Sequence, residues 1–188
     1  MPGYPYSGSG ERATMSGHIV LIGLSGSGKS TVAKLLAQAL GRPVYDTDAL
    51  LAARSGAPVP ELLKAAPNRF RALEEESVAA ACAAPAGVIA TGGGVVLSAR
   101  NRAALRRGNR VVWLRAPVSV LAARLQTGEE RPLLAGDAAA RLALLAAERE
   151  HLYAACAHDA LDTDGLAPCQ VAQRILARVI DREASSAP

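Results

Sequence analysis

The sequence predicts an α/β protein in which a parallel sheet is covered by helices on both sides. Three observations carry this prediction. The run HIVLIG (residues 18–23) is almost wholly apolar, as in a strand buried on both faces. Further apolar runs alternate along the chain with helical patterns. The first run also passes through a glycine-rich turn into a helix, as parallel α/β units do.

The amino-terminal elements follow in order. Residues 18–23 form the first strand, and a helix over 29–40 ends at Gly41, which suits a C-cap. The segment PVYD (43–46) reads as a second strand. Short helices punctuated by Pro58, Pro60 and Pro67 come next, and a longer helix spans 68–84.

The carboxyl-terminal half continues the alternation. Residues 87–94 read as a third strand running into a glycine turn, 110–114 as a fourth strand and 158–163 as a short fifth. The last helix spans about 169–181. Residues 1–17 are rich in Gly, Ser and Pro and are expected to be a disordered extension, with Met1 or Met15 as the true start. One domain over 18–182 and a flexible tail over 183–188 complete the expected organisation.

Length and composition limit the classes of function but do not identify one. At 188 residues the chain suits one domain, and its net charge of +4 fits anionic metabolites as well as nucleic acid. The densest basic run, with Arg100, Arg102, Arg106, Arg107 and Arg110, lacks aromatic residues, which favours a solvated helix face over a nucleic-acid surface.

Cysteine usage and hydropathy indicate a compartment. Three widely spaced cysteines with no CxxC pair favour neither a disulfide framework nor a zinc site, so buried or idle thiols in a reducing compartment are expected. No apolar run approaches the length needed to span a membrane, and the N-terminus lacks the order of a signal peptide. We therefore expect a cytoplasmic protein with no membrane or nucleic-acid partner.

The segment GLSGSGKST (residues 23–31) is the first motif in the chain that predicts a chemical function. Gly23, Gly28, Lys29 and Ser30 match the phosphate-loop pattern G-x-x-x-x-G-K-[ST] without a mismatch, between a strand and a helix as that pattern requires. Glycines let backbone N–H groups point at phosphate oxygens, and the helix dipole adds to the attraction. Lys29 is expected to reach the β- and γ-phosphates and Ser30 to bind Mg²⁺. A chance glycine-rich turn is the weaker alternative.

Two carboxylates follow the second strand. Asp46 and Asp48 are two residues apart, so extended geometry would point both side chains the same way. One would assist Mg²⁺ through water while the other accepts a hydrogen bond from an attacking hydroxyl. The alternative is that Thr47 or Asp48 only caps the following helix.

Three glycines in a row, Gly92, Gly93 and Gly94, follow the third strand. Missing side chains would let a small substrate lie against backbone N–H groups, although a plain turn is the alternative. Arg71 and Glu74 share a helix face, so the carboxylate could hold the guanidinium toward a substrate carboxylate. From the pattern alone, a surface ion pair is the preferred interpretation of that pair.

A flap is predicted at residues 126–136, where Gly, Pro and charged residues separate two helical patterns. Arg131 on this flap could stabilise the phosphoryl group during transfer, or it could be a solvated loop arginine. Arg149 has no interpretation from pattern alone.

Together these residues resemble the shikimate kinases, small P-loop kinases related to nucleoside monophosphate kinases. The resemblance covers about residues 19–180. It rests on motifs in the right order: GLSGSGKST, DTD (46–48), FR with the following Glu (70–74), TGGG (91–94), RPLL (131–134), RxxxY (149–153) and DTxxxxP (162–168).

The resemblance implies ATP-dependent phosphorylation of the 3-hydroxyl of shikimate, on the route to chorismate and the aromatic amino acids. It implies a five-stranded parallel sheet in the order 2-3-1-4-5, a substrate-binding region over about 48–85 and a lid over 126–136. A monomer is expected because no exposed apolar stripe stands out in the sequence. Asp48 would be the base, Asp46 and Ser30 would hold Mg²⁺, and Lys29 and Arg131 would stabilise the transferred group. The shikimate contacts would be Asp48, Arg71, Glu74, Gly92, Gly93, Gly94 and Arg149, and the ATP contacts Gly26, Ser27, Gly28, Lys29, Ser30, Thr31, Arg124 and Arg131.

The chain departs from the family pattern before Phe70. The segment 65–69 reads AAPNR where many members have Gly-Glu, and Leu62 or Leu63 replaces an aromatic residue near the pocket. Two other functions therefore stay open: a kinase for another small acid such as gluconate, and a sensor that binds shikimate-like acids without turnover. The retention of Lys29, Asp48 and Arg131 argues against a sensor.

Overall fold

A computed structural model describes residues 17–126 and 138–184. Its centre is a parallel sheet of five strands, ordered β2-β3-β1-β4-β5, which confirms the predicted fold class and strand order. The strands are β1 (Ile19–Ile22), β2 (Val44–Asp46), β3 (Val88–Ala90), β4 (Arg110–Arg115) and β5 (Asp159–Asp162).

Helices connect successive strands and cover both faces of the sheet. They are α1 (Lys29–Leu40), α2 (Thr47–Ser55), α3 (Val59–Ala65), α4 (Pro67–Ala83), α5 (Ala99–Arg106), α6 (Val118–Gln126), α7 (Ala138–Cys156) and α8 (Pro168–Ala184), with a short 3₁₀ turn at Val95–Leu97. The predicted strands and helices are all present in these described residues, and their ends differ from the predicted ends by at most three residues. The exception is the segment 87–94, of which only Val88–Ala90 is strand. No helix in the described ranges is both long enough and apolar enough to cross a membrane.

The central strand β1 explains the two-sided core. All four of its residues are fully buried, and it pairs in parallel with β3 and with β4. Because successive side chains of a strand point to opposite faces, Ile19 and Leu21 enter one apolar cluster, whereas Val20 and Ile22 enter the other. The uninterrupted apolar run is therefore the signature of a strand covered on both sides.

A third, smaller cluster holds the region after β2 together. Leu51, Leu62 and Phe70 come from α2, α3 and α4 and pack against one another. Burial of such side chains contributes about 1.5–3 kcal/mol each. This cluster fixes α4 relative to α2, so residues on these two helices keep defined positions beside the sheet.

The helix that follows the phosphate loop has the predicted bounds. Gly28 precedes it with φ 89° and Gly41 follows it with φ 63°, and this left-handed region disfavours residues with a side chain. The N–H of Arg42 bonds to the carbonyl of Ala37, which closes the last turn. Both ends of α1 are thus encoded by single glycines.

The basic run is only in part the solvated helix face that the sequence suggested, since Arg100 and Arg106 on α5 are exposed. Only part of it is helical, since Arg107 follows α5 and Arg110 begins β4. Arg106 donates to carbonyls at the end of α7, and Arg110 pairs with Asp159. Several of these guanidinium groups therefore hold the sheet and α7 in place.

The cysteines are unpaired in the described residues, as expected. Cys156 is buried and Cys82 half-buried, whereas Cys169 is exposed rather than buried.

Candidate active site

The phosphate loop (residues 23–30) curls around the side chain of Lys29. This side chain is 8% exposed, and its Nζ donates to the carbonyl oxygens of Gly23 and Leu24, both at 2.8 Å. The ammonium group thus sits inside the loop at the start of α1, where the helix dipole favours anions. This arrangement suits a polyphosphate.

Ser30 and Asp46 come together although 16 residues separate them. The hydroxyl of Ser30 donates to Oδ2 of Asp46 at 3.2 Å. A hydroxyl and one carboxylate beside a phosphate loop form the oxygen set that Mg²⁺ uses when nucleotide phosphates supply the other ligands. In the described residues no group of three or more His, Cys, Asp or Glu could hold a metal by itself, so these two residues fit Mg²⁺ only together with a nucleotide.

The chain turns into α2 directly after Asp46, so Asp46 and Asp48 do not share an extended segment. Asp46 is the N-cap of this helix, and its Oδ1 accepts from the N–H groups of Asp48 at 3.0 Å and Ala49 at 3.2 Å. The expectation that both carboxylates extend in parallel was therefore wrong, as was the choice of Thr47 or Asp48 as the cap. Because the chain turns into α2 here, Asp46 contacts Ser30 while Asp48 lies against the loop after β3.

That loop, residues 91–94 (the glycine loop), is fastened to two elements. Thr91 Oγ1 donates to the carbonyl of Leu21 at 2.9 Å, which ties the loop to β1. The N–H of Gly92 donates to Oγ1 of Thr47 at 3.1 Å, and Thr47 is 2% exposed. The loop is therefore a fixed part of the sheet edge rather than a free turn.

Close approaches explain why side chains are missing from this loop. A methyl group built on Gly92 would lie 2.4 Å from Oδ1 of Asp48, and one on Gly94 would lie 2.9 Å from Nη1 of Arg71. These two glycines thus bring an acid and a guanidinium group against the same short stretch of backbone. The plain-turn alternative does not account for both contacts.

The pair formed by Arg71 and Glu74 is not a surface ion pair, contrary to the interpretation that the pattern favoured. Nη1 of Arg71 lies 2.8 Å from Oε2 of Glu74, and the side chains are 37% and 4% exposed respectively. Arg71 also stacks over the ring of Phe70 at 5.0 Å. A buried carboxylate thus holds one side of the guanidinium, and the other side stays accessible.

Arg149 joins the same region from α7. Its side chain is 14% exposed, and Nη1 donates to the carbonyl of Gly93 at 3.3 Å. The pattern had no signal for this residue because nothing local in α7 reveals which side of the helix faces the glycine loop. Only the motif RxxxY of the family resemblance pointed to it.

The charges of Asp48, Arg71 and Arg149 affect the pKa of Glu74. Burial raises the pKa of Glu74 above its ordinary value of 4.5, while Arg71 and Arg149 lower it and Asp48 raises it. Two cations and a second carboxylate therefore all act on Glu74, and the acceptor side of the site carries two positive and two negative groups. Such an arrangement suits an organic anion bearing a hydroxyl.

On the opposite side, Arg124 is joined to the loop after β5. Nη1 donates to Oγ1 of Thr163 at 3.0 Å and Nη2 to its carbonyl at 2.7 Å. These two bonds hold Arg124 against the start of the DTxxxxP motif (residues 162–168). Arg131 and nearly all of the predicted flap lie outside the described residues.

The departure before Phe70 has a local structural explanation. Ala65 ends α3, the N–H of Ala66 bonds to the carbonyl of Leu62, and Pro67 begins α4, where a proline is tolerated. Leu62 is buried at 6%, whereas Leu63 is 39% exposed. Leu62 therefore belongs to the small apolar cluster with Leu51 and Phe70, whereas Leu63 faces solvent.

We expect Gly92→Ala to lower kcat/KM for the acceptor substrate about a hundredfold, since a misplacement of about 1 Å costs that much. The added methyl group displaces the Asp48 carboxylate. The matched variant is Gly93→Ala, whose methyl group would come no closer than 3.4 Å, to the N–H nitrogen of Ser25. Steady-state kinetics on both should give the larger loss for Gly92, and equal losses would contradict the steric explanation.

The variant Glu74→Gln should affect both the stability of the fold and the binding of substrate, and the two effects can be measured separately. Because folding raises the pKa of Glu74, its contribution to stability is fully present below pH 4.5 and is lost as the pH rises through the folded-state pKa. The melting temperature of the variant relative to the parent should therefore rise from acid to neutral pH, while KM for the acceptor substrate increases because Arg71 loses its support. A pH-independent difference in melting temperature would contradict this expectation.

Comparisons with known proteins show that the chain is similar to members of one family over most of its length. The family model of shikimate kinase matches residues 25–180. A shikimate kinase from Symbiobacterium thermophilum is 46% identical over 169 residues, covering 88% of this chain and 97% of its own. A shikimate kinase structure from Acinetobacter baumannii, in complex with shikimate, superimposes with a TM-score of 0.82 at 33% identity, covering 88% and 94% of the two chains.

A gluconokinase structure from Sinorhizobium meliloti also resembles the chain, with a TM-score of 0.57 at 23% identity over 93% of this chain and 99% of its own. That likeness extends to the fold alone.

Proposed function

This chain belongs to the shikimate kinase family, and we propose that its phosphate loop, Asp48 and the glycine loop carry out the family's reaction in the way set out below. The protein catalyses the ATP-dependent phosphorylation of shikimate, a step of aromatic amino acid biosynthesis. The observation that carries the proposed roles is the convergence of Asp48, Arg71 and Arg149 on the glycine loop, beside the phosphate loop.

ATP occupies the phosphate loop. Backbone N–H groups of Gly26 and Gly28 face the phosphates, and Ser27 shapes the loop between them through its own N–H, which bonds to the carbonyl of Leu24. Lys29 leaves the carbonyls of its own loop for the β- and γ-phosphate oxygens. Residues Ser30 and Thr31 complete the contacts at the start of α1, where the dipole assists. Arg124, held by Thr163, lies beside the adenine.

Shikimate occupies the acceptor side. Arg71 and Arg149 bind its carboxylate, and Glu74 keeps Arg71 in place. The backbone of Gly92, Gly93 and Gly94 lines the ring. Fixing both ends of the substrate brings the 3-hydroxyl to the γ-phosphate, and such positioning supplies much of the rate.

The chemical step is one in-line transfer. The 3-hydroxyl oxygen bonds to the γ-phosphorus, its proton passes to the Asp48 carboxylate, and the bond from that phosphorus to the β–γ bridging oxygen breaks to release ADP. Lys29 stabilises the charge on the transferred group, and Arg131 adds to this from the lid.

Mg²⁺ would be held by Ser30 directly and by Asp46 through water. When bound, it neutralises charge on the β- and γ-phosphate oxygens. The hydrogen bond between Ser30 and Asp46 supports this pair as the holder, because it brings a hydroxyl and a carboxylate oxygen together beside the phosphate loop. A monomeric state, a cytoplasmic location and a single domain over 18–182 complete the proposal.

A coupled ADP-release assay tests the proposal, with shikimate, quinate, gluconate and a nucleoside monophosphate offered in turn. We expect turnover on shikimate alone, dependent on Mg²⁺. Turnover on gluconate alone would reject shikimate as the substrate. Tight binding of shikimate without ADP release would instead favour a sensor.

A further inference from the structure

Tyr153 is a buried polar residue that the proposed reaction does not use. It lies on α7, is 0% exposed, and its hydroxyl donates to the carbonyl of Gly93. Its ring stacks on that of Trp113 from β4, with centroids 5.6 Å apart. The residue therefore connects the middle of the sheet to the glycine loop.

The same carbonyl receives two donors. Tyr153 follows Arg149 by four residues, so both side chains leave the same face of α7, and Nη1 of Arg149 contacts the Gly93 oxygen at a longer 3.3 Å. A carbonyl oxygen has two lone pairs and can accept both bonds. When Arg149 turns to a substrate carboxylate, the hydroxyl of Tyr153 still holds Gly93.

The chemistry of Tyr153 fits a permanent donor. Burial raises the pKa of its hydroxyl far above the ordinary value, so the proton stays on oxygen. The stacked Trp113 ring fixes the ring plane and leaves little freedom for the hydroxyl to move away. A rigid donor of this kind can define the position of a loop.

We propose that Tyr153 is a positioning residue, which holds the glycine loop in its substrate-binding shape and frees Arg149 for the acceptor carboxylate. This inference rests on the proposed function, since it assigns the glycine loop to shikimate. It acts on the acceptor side alone. The phosphate loop is held by its own backbone and by Lys29.

The test is Tyr153→Phe, which removes the hydroxyl and keeps the ring on Trp113. We expect KM for shikimate to rise about tenfold, the effect of one lost hydrogen bond at a buried carbonyl, with KM for ATP within about twofold of the parent value. Calorimetric titration with shikimate should give the same weakening of Kd. The matched control is Tyr45→Phe, which removes a hydroxyl bonded to the carbonyl of Pro85 and should leave both KM values unchanged.

Assays are run well below the melting midpoint of each variant, with circular dichroism as a check of folding. A lower melting temperature with both KM values unchanged would mean a purely structural role and would overturn the inference. Equal increases in the two KM values would overturn it as well. Introducing 4-aminophenylalanine at position 153 restores an N–H donor and should bring KM for shikimate back toward the parent value, and failure to do so would also count against it. Absence of shikimate turnover in the parent protein would instead reject the proposed function.

Discussion

Asp48→Asn should lower kcat for shikimate phosphorylation by about 10²–10⁴, the usual contribution of a positioned general base. The amide is nearly isosteric with the carboxylate but cannot take the hydroxyl proton. Asn still accepts and donates hydrogen bonds, so KM for shikimate should change far less than kcat. Steady-state kinetics and calorimetric titration with shikimate measure the two effects separately.

The control for this variant is Glu76→Gln, which neutralises an exposed carboxylate on α4 and should leave kcat unchanged. A kcat for Asp48→Asn within a few-fold of the parent would remove Asp48 from its role as base. A large increase in KM with kcat preserved would make it a binding residue only. In either case the contact of Asp48 with Gly92 would need another explanation.

Lys29→Ala should also lower kcat, by about 10²–10³, the cost of removing one charged or hydrogen-bonding group from a developing negative charge. The ammonium group is the cation that the phosphate loop encloses, and in the transition state it contacts the transferred phosphoryl oxygens. KM for ATP should rise too, because the same group binds the ground state.

Lys34→Ala on the same helix is the matched control, since Lys34 is exposed and its loss should leave both kinetic constants unchanged. Chemical denaturation of both variants checks that the loop still folds. If Lys29→Ala turned over shikimate at the parent rate, the assignment of residues 23–30 as the phosphate site would fail.

The phosphate loop and α1 were predictable because their signals are local. Glycines at 28 and 41 mark the two ends of the helix, and the motif needs only residues that are neighbours in the chain. Strand β1 was predictable for a related reason, as a continuous apolar run is stable only when both of its faces are covered.

The acceptor side was predictable only in part. Asp46 and Asp48 at the end of β2 were noticed, but the directions of their side chains were not predicted, because capping by Asp46 decides whether the chain extends or turns there. Glu74 looked like a surface residue, and its burial arises from helices that pack over it. Arg149 carried no local signal at all.

By itself, the sequence determined the fold class, the nucleotide loop and, through its set of motifs, the family. These depend on backbone preferences and on spacing between nearby residues, which are the same in any context. Tertiary structure alone decided which guanidinium and carboxylate groups meet at the glycine loop, that Glu74 is buried, and that Tyr153 reaches Gly93. Such contacts join residues up to 60 positions apart, so they follow from how the helices pack on the sheet and from no pattern within any one segment.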